Sequence, residues 1–575
     1  MILRSFSSHF LSPSKTFPNF RFFKMLVEVT EGKLKGERLK NILTSEEYYS
    51  FKGIPFAKPP VGPLRFKDPE PPEKYNDVWD ATQERLPCIQ KSFAYSGIGG
   101  DEDCLYLNVY SPKLPEKGDA LKPVMFYLFG GGYTEGQKDA FLYGPDFLVA
   151  KDVVLVIPNY RLHIFGFLNL GIPECSGNQG LKDQLAALKW TKANISKFGG
   201  DPNNITIFGE SAGACSVQFL LYSPLLKGKG LFHKAIAQSG SIMLHNRSFG
   251  TVDSSTKRAT RVAKKLGFES EDPRELHKFL MSAPARDLTL NTIGILTQKE
   301  REDGDLFPFT PTVDVVGEAN ERMITARGSE ITQQDPQVPV MVGLCDQEAI
   351  ISLKQLITEK APGEQFISRA ESVIIPILFK GIPLDEETKK DIVNKFHQFY
   401  FEGKSTYEDI IIASIDLYSD IMYNKGLYDY IFANLKYSSQ PTYSYLFTYR
   451  GTIGFLEHMF NYQRPSFLKG AGHTDELGYL LYQVLKKDKN PLESETDRKV
   501  ISHMSTIWSN FAKFSDPGKN LPIDFKPVTT SNKSYLDINE ELTIKPGIIF
   551  EERMKFINEV YSSVTAKPAC CIQKK

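Results

Sequence analysis

The segment Ile205-Thr206-Ile207-Phe208-Gly209-Glu210-Ser211-Ala212-Gly213, with a helix-like stretch from Ala212 to Leu221, constrains this chain more than any other feature. A β-branched run ending in Gly-x-Ser-x-Gly and passing at once into a helix is the strand–turn–helix setting in which a serine is lifted above a sheet. The glycines are needed because the turning residue is held in a strained conformation, and Cβ atoms beside it would clash. The turn aims Oγ of Ser211 near a helix N-terminus, where developing negative charge is favoured. The bare motif is a weak signal, and the flanking strand and helix make it a strong one.

Further apolar runs cover Val124 to Phe129, Val153 to Ile157, Val338 to Val342 and Tyr443 to Tyr449, with helical segments between them. That alternation predicts an α/β fold with a central, mostly parallel mixed sheet and helices on both faces. In such sheets, sites assemble from loops at the carboxyl ends of the strands. Leu181, Leu185 and Leu188, ending near Trp190 and with Asp183 among them, have the spacing of a core helix.

Three glycines, Gly130-Gly131-Gly132, follow directly on the Val124–Phe129 run. Glycines there let backbone N–H groups approach a bound carbonyl, and the N–H of Ala212, just after the serine, is the expected third donor. Glu135 stands where a dinucleotide-binding G-x-G-x-x-G would need its last glycine, so no such cofactor is expected. A serine hydroxyl needs a base, and the base must be oriented by a third group. In the α/β-hydrolase order the acid and the histidine follow the serine. Of the nine histidines, seven follow Ser211, and among these His473 stands out, in the Gly-rich loop Gly470-Ala471-Gly472-His473 after the Tyr443–Tyr449 run; the other six read as helical or helix-end positions. Glu348 lies in the loop just past the Val338–Val342 run, and Asp346 competes with it in the same loop.

Charge and composition exclude other classes. Lys plus Arg total 69 and Asp plus Glu total 69, which leaves no basic footprint for nucleic acid or an anionic membrane. No run of about 18 apolar residues suggests a transmembrane helix. Seven cysteines are few for 575 residues and argue against a disulfide framework. No repeat or long linker divides the chain, so residues 25–575 are expected to form a single domain and residues 1–24 a leader. From Met1 to Val27 there is no acidic residue, while Arg4, Lys15, Arg21 and Lys24 are basic. That composition fits a mitochondrial transit peptide or an extension ahead of a start at Met25. The cytoplasm is the expected compartment, with mitochondrial and secreted locations as alternatives. The sequons at Asn194 and Asn246 matter only if the chain is secreted.

The chain resembles the type-B carboxylesterases, the group of cholinesterases, insect esterases and non-catalytic neuroligins, over essentially Val27 to Phe556. The resemblance is carried by Glu102-Asp103-Cys104-Leu105-Tyr106-Leu107-Asn108-Val109-Tyr110, by Phe208 to Gly213, by Gly177-Asn178-Gln179-Gly180-Leu181 with Asp183, and by Phe198-Gly199-Gly200-Asp201-Pro202. It implies an α/β-hydrolase fold and a triad of Ser211, Glu348 and His473. It further implies oxyanion donors at Gly131, Gly132 and Ala212, a Cys88–Cys104 disulfide, and an acyl pocket near Phe307 and Phe309, with Phe129 expected to line the substrate pocket as well. Among subgroups the chain is most similar to insect α-esterases. There are departures. The Cys88 loop holds no Trp, which argues against acetylcholinesterase, and Glu210 in place of Gln argues against juvenile hormone esterase. Ala349 replaces the usual Gly after the acid. Phe129 stands where many relatives have His, so the glycine loop is expected to be held by packing and backbone bonds alone. Phe129→His is then expected to raise kcat.

The leading reading is a carboxylic-ester hydrolase without metal or cofactor, acting on small-molecule esters of xenobiotic, lipid or odorant type. An active but slow, ester-sequestering protein and a neuroligin-like adhesion module are the competitors. Oligomeric state is not legible.

Overall fold

The β-branched runs pair with one another because their side chains are apolar on both sides, and a strand of that kind must be covered on both faces. The computed structural model describes residues 25–92, 97–243, 249–459, 462–484 and 492–566. The leader expected at 1–24 and the sequon at Asn246 lie outside the described residues. The other sequon is no glycan acceptor in the folded chain, since Asn194 is buried and its Oδ1 accepts from the Thr30 N–H at 2.9 Å.

Twelve strands form the main path of a 13-stranded sheet. They are β1 (Met25–Val29), β2 (Gly32–Lys40), β3 (Glu47–Pro55), β4 (Tyr106–Ser111), β5 (Lys122–Leu128), β6 (Val154–Pro158), β7 (Gly200–Glu210), β8 (Lys234–Gln238), β9 (Val340–Cys345), β10 (Thr442–Phe447), β11 (Ser534–Ile538) and β12 (Leu542–Pro546). Their spatial order is β1-β2-β3-β4-β6-β5-β7-β8-β9-β10-β11-β12, and the two-residue strand Trp79–Asp80 pairs with β2. From β6 to β11 every neighbouring pair is parallel. Pairing is antiparallel from β1 to β4, between β4 and β6, and between β11 and β12. This is the α/β-hydrolase fold.

Every residue of β6, β8, β9 and β10 is buried, which is why β6, β9 and β10 read as mostly apolar runs; β8, with Lys234 and Gln238 at its ends, does not. The strands next to the two edges escape that signal. β2 carries Lys33, Lys35, Glu37, Arg38 and Lys40, and β11 alternates buried with half-buried positions. The helix expected around Leu181 is α1, Gln179–Asn194. Leu181 and Leu188 are fully buried, and Asp183 is bonded by Arg161 at 2.8 and 2.7 Å, an inward ion pair with no access to a ligand. The helix after Ser211 is α2, Ala212–Tyr222, and every one of its residues is buried.

The topology places the chemistry. Four strands close together in the sheet each lead at their carboxyl end into one piece of it: β5 into Gly130–Gly132, β7 into Ser211, β9 into Glu348 and β10 into the loop that carries His473.

Candidate active site

Ser211 turns the chain from β7 into α2 at φ 57°, ψ −121°, a conformation that L side chains rarely adopt. It is tolerable only because its neighbours are small. A Cβ on Gly213 would lie 2.0 Å from the Leu128 carbonyl oxygen, and one on Gly209 2.6 Å from the same atom. The Ser211 N–H donates to Gln238 O at 2.8 Å, which ties the turn to the end of β8.

His473 reaches the serine from across the sheet edge, with Nε2 2.9 Å from Ser211 Oγ. Its Nδ1 lies 2.6 Å from Glu348 Oε2, and its backbone N–H donates to Glu348 O at 3.3 Å. The other carboxylate oxygen of Glu348 accepts from the Cys345 N–H at 2.8 Å, so this fully buried side chain is held at both ends. The three side chains thus form one line, with Nδ1–H donating to the carboxylate and Nε2 left to accept from the hydroxyl.

Asp346, the competing acid, has a different place. Its Oδ1 accepts from the Ala471 N–H at 2.6 Å, and Gln347 bonds the same loop through its backbone and its side chain. Asp346 therefore pins the histidine loop without touching the imidazole. Burial pushes its carboxyl up to about 8, so it is neutral near pH 7.

Two more buried carboxyls flank the imidazole. Glu210 Oε1 lies 3.1 Å from His473 Nε2. Glu476 accepts from the Cys345 thiol at 3.1 Å and from Gln238 at 3.2 Å. Burial raises the Glu476 carboxyl to about 7 and that of Glu210 well above the usual range. Burial of His473 opposes its protonation, but Tyr423, Glu210 and Glu348 outweigh it and raise the imidazolium well above 6.5. A buried carboxyl that keeps its proton cannot also hold an imidazolium, so Glu348, at 2.6 Å, is the partner that does.

The glycine loop is strained in the way glycine allows. Gly131 has φ 108° and Gly132 φ 63°, and a Cβ on Gly131 would lie 2.1 Å from Glu135 O. Gly132, Ala212 and Ser211 line one small cavity of about 50 Å³. The loop is not held by backbone and packing alone, which corrects the sequence expectation. The Tyr160 hydroxyl donates to Phe129 O at 2.7 Å, and the Thr134 hydroxyl to Gly131 O at 3.0 Å. Gln90 exchanges two bonds with Gly136, at 2.7 and 2.8 Å.

Phe129 itself lines neither cavity at Ser211. It is fully buried, stacked on Tyr160 with ring centroids 4.4 Å apart. Phe129→His is now expected to leave kcat unimproved and to lower stability by about 1–3 kcal/mol, the cost of a buried polar group without a partner. Thermal unfolding and steady-state kinetics of the one variant check both halves; a rise in kcat would restore the loop-support reading. Phe309 is likewise a core residue, 1% exposed and outside both cavities, whereas Phe307 lines both.

Cys88 and Cys104 are joined by a disulfide. Among the described residues no group of His, Cys, Asp and Glu could hold a metal ion. Sequence reasoning missed Met422 and Tyr423 beside Phe307 in the small cavity, with the Tyr423 ring 4.8 Å from that of His473. They lie in a π-helical turn, Asp420–Asn424, that periodicity cannot distinguish from ordinary helix. Nor did it assign Glu476, for nothing in one sequence says that this carboxyl points inward. His233, expected at a helix end, precedes β8.

Comparison with known proteins gives the family. A family model described as "Carboxylesterase family" matches residues 24–557. A juvenile hormone esterase of Tribolium castaneum is 34% identical over 502 residues, 83% of this chain and 82% of that protein. Esterase E4 of Myzus persicae is 32% identical over 538 residues, 90% of this chain and 93% of that protein. The crystal structure of juvenile hormone esterase from Manduca sexta, with OTFP covalently attached, superposes with a TM-score of 0.79 at 26% identity, covering 93% of this chain and 99% of that one.

Proposed function

The chain belongs to the carboxylesterase family and is a carboxylic-ester hydrolase, and from that premise we propose that Ser211, His473 and Glu348 are its triad. The observation that carries the reading is the continuous line of contacts, 2.9 Å from Ser211 Oγ to His473 Nε2 and 2.6 Å from His473 Nδ1 to Glu348. Ser211 Oγ attacks the ester carbonyl while Nε2 takes its proton. The N–H groups of Gly131, Gly132 and Ala212 receive the oxyanion. His473 then gives the proton to the departing alcohol, and water cleaves the acyl-enzyme by the same steps in reverse.

The two cavities divide the substrate. His473 lines the larger one, of about 370 Å³, and does not line the smaller one, of about 50 Å³. The alcohol must leave beside the imidazole that protonates it, so the alcohol occupies the large cavity and the acyl group the small one. A series with one fixed alcohol and acyl chains from acetyl to octanoyl tests this. Extra methylenes ordinarily add binding, but forcing them into a full pocket costs about 1–3 kcal/mol, so kcat/KM is expected to fall about tenfold or more along the series. A steady rise with acyl length would refute the division. Fast or slow deacylation then separates a turnover enzyme from a sequestering one.

The compartment reading shifts with the disulfide. Disulfides persist in oxidising compartments, so Cys88–Cys104 favours secretion over the cytoplasm. No helix among the described residues is long and apolar enough to cross a membrane.

A further inference from the structure

Resting on the division of acyl and alcohol sides above, we propose that Arg369 is a specificity-determining residue, selecting esters whose alcohol part carries a carboxylate. Arg369 is the only Lys or Arg among the residues lining the large cavity, and it shares that lining with Ser211 and His473. It stands near the end of the helix Gly363–Glu371, and it is exposed, which places it at the cavity mouth rather than beside the reacting atoms.

Its guanidinium is set in place. The carbon Cζ lies 5.6 Å from the centroid of the buried Tyr418 ring, and Nη2 donates to the Tyr418 hydroxyl at 3.4 Å. This cation–π contact and single bond leave the remaining N–H donors of the fork available and lower the entropy lost when an anion binds. No carboxylate among the described residues pairs with it. The nearest candidates in sequence, on this helix and on the helix Tyr407–Ser419 packed against it, are used elsewhere: Glu371 takes His397 at 2.7 Å and Asp416 takes Arg553 at 2.8 Å. Within the cavity the carboxyls are Glu135 and Glu210, and burial drives the Glu210 carboxyl toward its neutral form.

A ligand supplies what the chain does not. A largely apolar cavity with one Arg at its rim suits an alcohol that has an apolar body and a terminal carboxylate, bound by a bidentate, charge-assisted pair. The acyl side cannot hold this group, because the small cavity contains no Lys or Arg in its lining. The contact is remote from the carbonyl and is made equally in ground and transition states, so it acts through KM rather than kcat.

The test uses aryl acetates with a carboxylate attached to the ring through zero to three methylenes, each paired with its neutral carboxamide and corrected for spontaneous hydrolysis. The wild-type protein is expected to favour the carboxylate over the carboxamide at the best chain length. Arg369→Gln should lower that ratio about fivefold, mainly through KM, and Arg369→Glu should lower it further. Arg369→Lys should retain part of the preference, and added salt should weaken it. A ratio that is the same in wild type and Arg369→Gln at every length overturns the proposal while leaving the hydrolase reading intact. Failure of the wild-type protein to cleave the neutral carboxamide acetates would overturn both.

Discussion

Ser211→Ala is expected to lower kcat by about 10⁵–10⁶-fold, to leave KM within a few-fold, and to leave the fold unchanged. The size of the loss follows from what the hydroxyl does. Without Oγ no acyl-enzyme can form, and His473 has no proton to receive at 2.9 Å. What remains is binding plus the oxyanion donors, which still exceed water alone by about 10³–10⁴. The substitution removes one oxygen from a turn whose shape is set by Gly209 and Gly213, so unfolding should be indistinguishable from wild type. Steady-state kinetics and a thermal melt on the same preparation suffice. Retention of more than about a hundredth of the activity would mean that another residue is the nucleophile.

Glu348→Gln is the second large effect, about 10³–10⁴ in kcat. The geometry explains why so conservative a change is costly. The Cys345 N–H needs an acceptor at Oε1, 2.8 Å away, so an amide here keeps its carbonyl oxygen on that side. Its NH₂ must then face His473 Nδ1, where the carboxylate oxygen stood at 2.6 Å. Nδ1 becomes an acceptor, the proton moves to Nε2, and the imidazole can no longer take the proton of Ser211. Asp346→Asn gives the control. That carboxyl is already neutral near pH 7, and an amide keeps the acceptor for the Ala471 N–H, so kcat should fall less than about threefold. If Asp346→Asn were the more damaging of the two, the acid would be misassigned.

Much of this was legible in the sequence, for identifiable reasons. Ser211 announced itself because a strained elbow demands glycines on both sides, and that demand is written in adjacent residues. Five of the parallel strands were legible because burial on both faces removes polar residues from them, whereas β8 and β11, which keep polar residues among the apolar ones, were not. The choice between Glu348 and Asp346 was not, since both lie in one loop and only the family resemblance separated them; in the fold one carboxylate faces the imidazole and the other faces a backbone N–H. Phe129 and Phe309 were expected near the substrate and instead pack in the core, because a single sequence does not say which face an aromatic ring turns to. Tyr423, Glu476 and Arg369 were silent for a related reason. Tyr423 and Arg369 come from helices far from Ser211 along the chain and Glu476 from the turn just past His473, and in each case the meaning depends on packing that periodicity does not encode.

The central claim, that Ser211 is the nucleophile of an acyl-enzyme mechanism, is tested most directly by covalent labelling. The protein would be incubated with an organophosphate ester, digested, and mapped by mass spectrometry. The account predicts one adduct per chain, on Ser211, formed with loss of activity in the same proportion and absent in Ser211→Ala. A stoichiometric adduct on any other residue, with Ser211 unmodified and activity lost, would contradict it.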